Sequence, residues 1–179
     1  APIGGVYSER LHYPPGRYKI EVAVFDARNR LLSKTRSIDL TVKGIATRPR
    51  LHVLAVGVSS YYDPSLREGV SYAAADAAAL VDTLQKYADT ELADMAPPVL
   101  LKEADASRDK IVAALQRLAQ QAQPQDVVVL FLAGHGTEDK GDYFYQPWEA
   151  KYTSRARLLE QSLSGEQLRT LLRDVKASK

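Results

Sequence analysis

The chain has 179 residues, of which 45% are hydrophobic and 26% charged. These are the proportions of one globular domain or a little more, and they exclude wholesale disorder and fibrous architectures. Lys plus Arg at 24 against Asp plus Glu at 22 leaves a net charge of +2, too small and dispersed for the electrostatic footprint of a nucleic-acid binder. There is no cysteine, so this chain itself holds no disulfide, no thiolate metal site and no cysteine nucleophile.

No run approaches the roughly 18 apolar residues that span a bilayer. Ala1 opens into polar turn residues rather than a basic and then apolar leader. A soluble protein without membrane or nucleic-acid partners is expected. The lack of cysteine suits the cytoplasm and equally a secreted protein that needs no staples; the cytoplasm is slightly favoured. The absence of Met at position 1 suggests a fragment.

Residues 1–17 carry Gly4-Gly5 and Pro14-Pro15-Gly16 with no periodic pattern, and read as a loop or linker. Tyr18, Ile20, Val22 and Val24 then alternate with polar or small residues, and the alternation resumes at Ile38, Leu40 and Val42. This predicts a half-buried antiparallel β-hairpin. A lone hairpin is marginal in water, so it needs something to pack on. Gly44 and Pro49 punctuate the chain next, and a boundary falls there, with residues 1–48 as a hairpin segment and 49–179 as the main domain.

From residue 50 the pattern becomes alternating strands and helices. Strands are expected over 52–58 (HVLAVGV), 98–102 (PVLLK) and 127–133 (VVVLFLA), the last so uniformly apolar that it reads as covered on both faces. Between them Ala73, Ala77, Leu80, Leu84 and Tyr87 form one helical stripe, and Ile111, Ala114, Leu115, Leu118 and Ala122 another. A last helix is announced by a Ser164/Gln167 capping box, a Leu163/Leu168 staple, and the stripe Leu168, Leu171, Leu172, Val175. The order implies an α/β fold: a mainly parallel central sheet flanked by helices, preceded by the antiparallel hairpin.

In such sheets, function gathers at the carboxyl ends of the strands. The strand over 127–133 runs into Gly134-His135-Gly136, which makes His135 the candidate base, since imidazole titrates near neutrality and flanking glycines admit a substrate closely. His12, in the leading loop, and His52, at a strand start, read as structural or solvated. Metal ligation by His135 with Glu138, Asp139 or Asp142 fits no known spacing. Neither a phosphate-cradling glycine loop nor a GxSxG elbow is present. The residues offer a base without a visible nucleophile.

The runs LHVLAVGVSSYYDPSLREGVSYAAADAAAL (51–80), DVVVLFLAGHGTEDKGDYFYQPWEA (126–150) and LSGEQLRTLL (163–172) resemble the large-subunit portion of bacterial caspase-like and metacaspase-like cysteine peptidases. The resemblance covers about residues 50–179. It implies a three-layer caspase-like fold, a polypeptide substrate, no cofactor, and a Cys-His dyad in which histidine activates a thiol. His135 matches the histidine, Gly136 the residue whose backbone N–H helps form the oxyanion hole, and Asp76 an acidic residue of the pocket that selects Arg or Lys. In the family the helix matching 164–177 leads into a strand ending in Asp-x-Cys, so the nucleophile is expected just beyond Lys179, on the remaining part of the domain. The hairpin resembles, more loosely, the closing strands of an immunoglobulin-like module. The alternative is a catalytically inactive scaffold of the same fold.

Overall fold

The computed structural model describes Tyr13, Arg28 and residues 15–26, 33–43, 48–88 and 94–177, and the chain divides into two compact units, 1–47 and 48–179. His12, Gly4, Gly5 and Gly44 lie outside the described residues. In the first unit β1 (Gly16–Val22) and β2 (Arg36–Val42) form an antiparallel hairpin, with Tyr18 opposite Leu40 and Ile20 opposite Ile38. Tyr18, Ile20, Leu40 and Val42 are half-buried, but Ile38 is 68% exposed.

The second unit runs β3 (Arg50–Gly57), α1 (Ala73–Ala88), β4 (Asp94–Met95), β5 (Val99–Lys102), α2 (Arg108–Gln121) and β6 (Val127–Ala133), then β7 (Gly136–Asp139), β8 (Asp142–Tyr145), α3 (Arg155–Gln161), β9 (Leu163–Ser164) and α4 (Gly165–Arg173). β3 is the centre of a parallel sheet. It pairs with β6 from Leu51↔Val127 to Gly57↔Ala133, and on its other edge with β4 and then β5. β7, β8 and β9 form a small antiparallel sheet.

Alternation along β3 sorts its side chains into two cores. Val53 and Ala55 pack with Ala77 and Val81 of α1, while Leu54 and Val56 pack with Ile111, Ala114 and Leu115 of α2 and with Leu168 of α4. This is the three-layer arrangement, helix, sheet, helix, of the caspase-like fold. The alanines of α1 serve close approach: a Cβ at Gly57 would run into the Ala73 carbonyl and stand 2.7 Å from the Ala74 Cα. The stripe of α1 therefore follows Ala73, Ala77, Val81 and Leu84. Tyr87, expected in the stripe, is 59% exposed.

α2 buries Ile111, Ala114, Leu115 and Leu118, as its sequence period predicts, and α4 begins with the Ser164/Gln167 capping box. Its last helical residue is Arg173, so Val175 lies beyond the end. β6 departs from expectation. Its seven apolar residues are only half-buried, because among the described residues it has a strand partner, β3, on one edge alone. Among the described residues no helix is long and apolar enough to cross a membrane.

At the amino ends of β3 and β6 sits a buried polar cluster. The Asp126 carboxylate, 1% exposed, accepts from the Arg50 and Gln123 backbone N–H groups at 2.9 Å each and from His52 Nε2 at 3.0 Å. Burial acts to raise its pKa, but the two backbone donors and His52 together outweigh that and hold it below the ordinary aspartate value. His52 is thus structural. A depressed carboxyl stabilises the fold fully above the unfolded value of about 3.9, and that contribution fades as pH falls through the folded value. Asp126→Asn should cost about 2 kcal/mol at pH 7, measured by urea unfolding, and should flatten the loss of stability in acid; an unchanged acid limb would show that Asp126 is not its source.

Candidate functional site

The site forms where β6 ends. Ala133 O accepts from Val58 N–H and from the Tyr145 hydroxyl, both at 3.0 Å, which holds the strand end against β3 and β8. The chain then turns through Gly134 at φ +146, a conformation that L side chains rarely adopt. A Cβ there would stand 2.6 Å from the Tyr61 hydroxyl. Glycine is required on both counts.

His135 follows, half-buried at the rim of the sheet. Its backbone belongs to a closed ring of hydrogen bonds. The His135 N–H donates to the Tyr61 hydroxyl at 2.7 Å, that hydroxyl donates to the Gln146 carbonyl at 3.3 Å, and the Gln146 N–H donates back to the His135 carbonyl at 3.0 Å. The Tyr61 ring lies 5.4 Å from the imidazole, centroid to centroid, tilted 36°. Burial pushes the Tyr61 phenol up to about 12, against a smaller opposing effect of the His135 N–H. Burial likewise raises Tyr145 and Tyr143. All three phenols are therefore protonated donors at neutral pH.

The segment preceding Tyr61 is held from the end of β5. Glu103, in a short 3₁₀ turn, accepts the Ser60 N–H at 2.7 Å and the Ser59 N–H at 3.2 Å. It does so at φ +46, a left-handed conformation uncommon for a non-glycine residue. From the other side, Trp148 Nε1 donates to Ser60 O at 2.8 Å and Tyr62 N–H to Trp148 O at 3.0 Å. The Ser59 hydroxyl accepts from Ala74 N–H in the first turn of α1. Further along the loop, Asp63 is held below the ordinary carboxylate value by the Ser65 and Tyr152 N–H groups.

Of the residues singled out by sequence, His135 and Gly136 are neighbours at this rim. Gly136 opens β7 opposite Tyr145 and is exposed. A Cβ here would run into the ring of Tyr143, so glycine leaves room for an aromatic side chain over the backbone beside the histidine. Asp76 stands in the first turn of α1, at the same carboxyl end of the sheet, and its side chain is exposed. Its backbone N–H bonds Tyr72 O at 2.8 Å, and no hydrogen bond or ion pair joins it to His135. Glu138, Asp139 and Asp142 line the β7–β8 hairpin, where Asp139 pairs with Arg155. Among the described residues no group of three or more His, Asp or Glu is placed to hold a metal ion.

Sequence reading missed Tyr61, Tyr145 and Glu103. The signal for the first was the Tyr61-Tyr62 doublet following a strand, where one ring must face in and the other out. Nothing in the sequence marks Glu103, since it reaches Ser59 and Ser60 from more than forty positions away.

A mainly parallel sheet flanked by helices, with a histidine at the carboxyl end of a strand and a glycine on either side, defines the α/β class of the domain. The particular family follows from comparison: residues 50–177, well over half of the chain, match the caspase domain, and the chain belongs to that peptidase family. A search of curated proteins returns no match. Among solved structures, a crystal structure of a protein from Geobacter sulfurreducens superposes with a TM-score of 0.53 at 19% identity, covering 72% of this chain and 47% of that one. The chain thus spans about half the length of that relative, and the likeness supports the fold.

The crowding around Gly134 is open to test. Gly134→Ala should destabilise the domain by about 2–3 kcal/mol through backbone strain and displacement of Tyr61, in urea unfolding. Gly141→Ala, also at positive φ but with no atom within 4 Å of a Cβ, should cost less; equal costs would refute the crowding.

Proposed function

We propose that this domain contributes the histidine half of a cysteine endopeptidase site that cleaves after Arg or Lys, its thiol lying on a segment beyond residue 179. The observation that supports this reading best is the state of β6. A seven-residue apolar strand is paired on one edge only among the described residues, and His135 follows its carboxyl end. A further parallel strand laid along that free edge would be buried in the sheet and would end beside the imidazole. That is where a nucleophile is needed.

In this mechanism neutral His135 takes the thiol proton, and the thiolate attacks the scissile carbonyl carbon. The negative charge that develops on the carbonyl oxygen is met by the Gly136 backbone N–H. The imidazolium then gives its proton to the leaving amine as the C–N bond breaks, leaving a thioester. His135 next deprotonates water, whose attack releases the carboxylic acid and regenerates the thiol. Asp76, exposed and without a side-chain partner among the described residues, offers a carboxylate to a basic side chain. The second reading is an inactive scaffold of the same fold.

The assays use the protein together with its cysteine-bearing segment. His135→Ala should lower turnover of an Arg- or Lys-ended peptide reporter by about a thousandfold or more, and undiminished turnover would refute the base assignment. Asp76→Ala should reduce kcat/KM on basic reporters about tenfold or more while sparing an uncharged reporter. Equal loss on both would remove Asp76 from the pocket.

A further inference from the structure

The backbone of His135 is fixed by the ring of hydrogen bonds through Tyr61 and Gln146, but its side chain is fixed by something else. An imidazole at a strand end can swing about its Cα–Cβ bond unless a wall stands beside it. The Tyr61 ring is that wall, wholly buried and 5.4 Å from the imidazole. One side chain therefore holds both the main chain and the ring of the proposed base.

Tyr61 is itself held at its own segment. Glu103 takes the two N–H groups immediately before it, and Trp148 engages the residues on either side, Ser60 and Tyr62. The strained φ of Glu103 is what a carboxylate tolerates when it must reach across from the end of β5, and backbone strain of this kind gathers at functional sites. Two hydrogen bonds to the neighbouring loop, at 2.7 and 3.2 Å, offset part of that strain.

We infer that Tyr61 is the positioning residue of His135 and that Glu103 clamps the segment carrying Tyr61, so that a carboxylate with no contact to the histidine sets its orientation. This inference rests on the peptidase reading above, and one of its tests does not use turnover. In the 179-residue chain, the carbon-bound imidazole protons of His135 are followed by NMR, with His52 as an internal control at the opposite end of the sheet. Tyr61→Phe keeps the ring and deletes the hydroxyl, and Glu103→Ala deletes the clamp.

Both variants should shift and broaden the His135 ring signals while those of His52 stay in place, and Glu103→Gln, which keeps one acceptor, should restore part of the effect. Unmoved His135 signals in either variant would overturn the inference, as would signals of both histidines moving together, the mark of a general loss of packing. In the protein with its cysteine-bearing segment, Tyr61→Phe and Glu103→Ala should each lower kcat about tenfold or more with KM within about twofold, since small misplacements of reacting groups act on the chemical step. Unchanged kcat, or a loss carried by KM, would also refute it. If His135→Ala left turnover intact, the peptidase reading would fail while the NMR result still decided the clamp.

Discussion

The parallel ladder between β3 and β6 is the interaction on which the rest of this domain depends. Seven residue pairs, from Leu51↔Val127 to Gly57↔Ala133, set the register, and both ends of the ladder are locked by different chemistry. At the amino end Asp126 ties the start of β6 to Arg50 and His52 of β3. At the carboxyl end Val58 N–H and the Tyr145 hydroxyl both close on Ala133 O. A slip of one residue would turn Val53 and Ala55 toward the helices that should meet Leu54 and Val56, exchanging small and large side chains across both cores.

The placement of the candidate base follows from that ladder. Because β6 is held at Ala133, the chain has one residue, Gly134, in which to leave the sheet before His135, and the hydroxyl of Tyr61 occupies the space where any other residue would put its Cβ. The loop after β3, the turn after β5 and the segment after β8 converge here through Tyr61, Glu103 and Trp148. Each arrives from the carboxyl end of a strand or from the hairpin beside it, the location at which α/β sheets gather polar groups whose backbone partners have run out. The polar cluster at the opposite end is closed by its own hydrogen bonds. Asp126 is satisfied by three donors and stabilises the sheet.

How much of this was legible in the sequence varies with the range of the interaction. The hairpin, the three strands, the helix stripe of α2 and the capping box of α4 were written in local periodicity and in side-chain-to-backbone pairings three residues apart. The stripe of α1 was legible only in part: alanine is small enough to suit either face, so it took the close crossing at Gly57 to show that Val81, and not Tyr87, completes the buried side. The apolar run 127–133 announced a strand, yet its half-burial depends on which edge carries a partner, and that is a property of the sheet.

By itself the sequence determined the α/β class, the position of His135 at a strand end between glycines, and the family, since each of these is carried by residue type and short spacing. Only the tertiary structure decided what stands around the histidine. Tyr61 lies 74 residues before it and Glu103 lies 43 residues beyond Ser60. Contacts of that separation leave no periodic trace, because they are made by the register of the β3–β6 and β3–β5 pairings that bring the strand ends together.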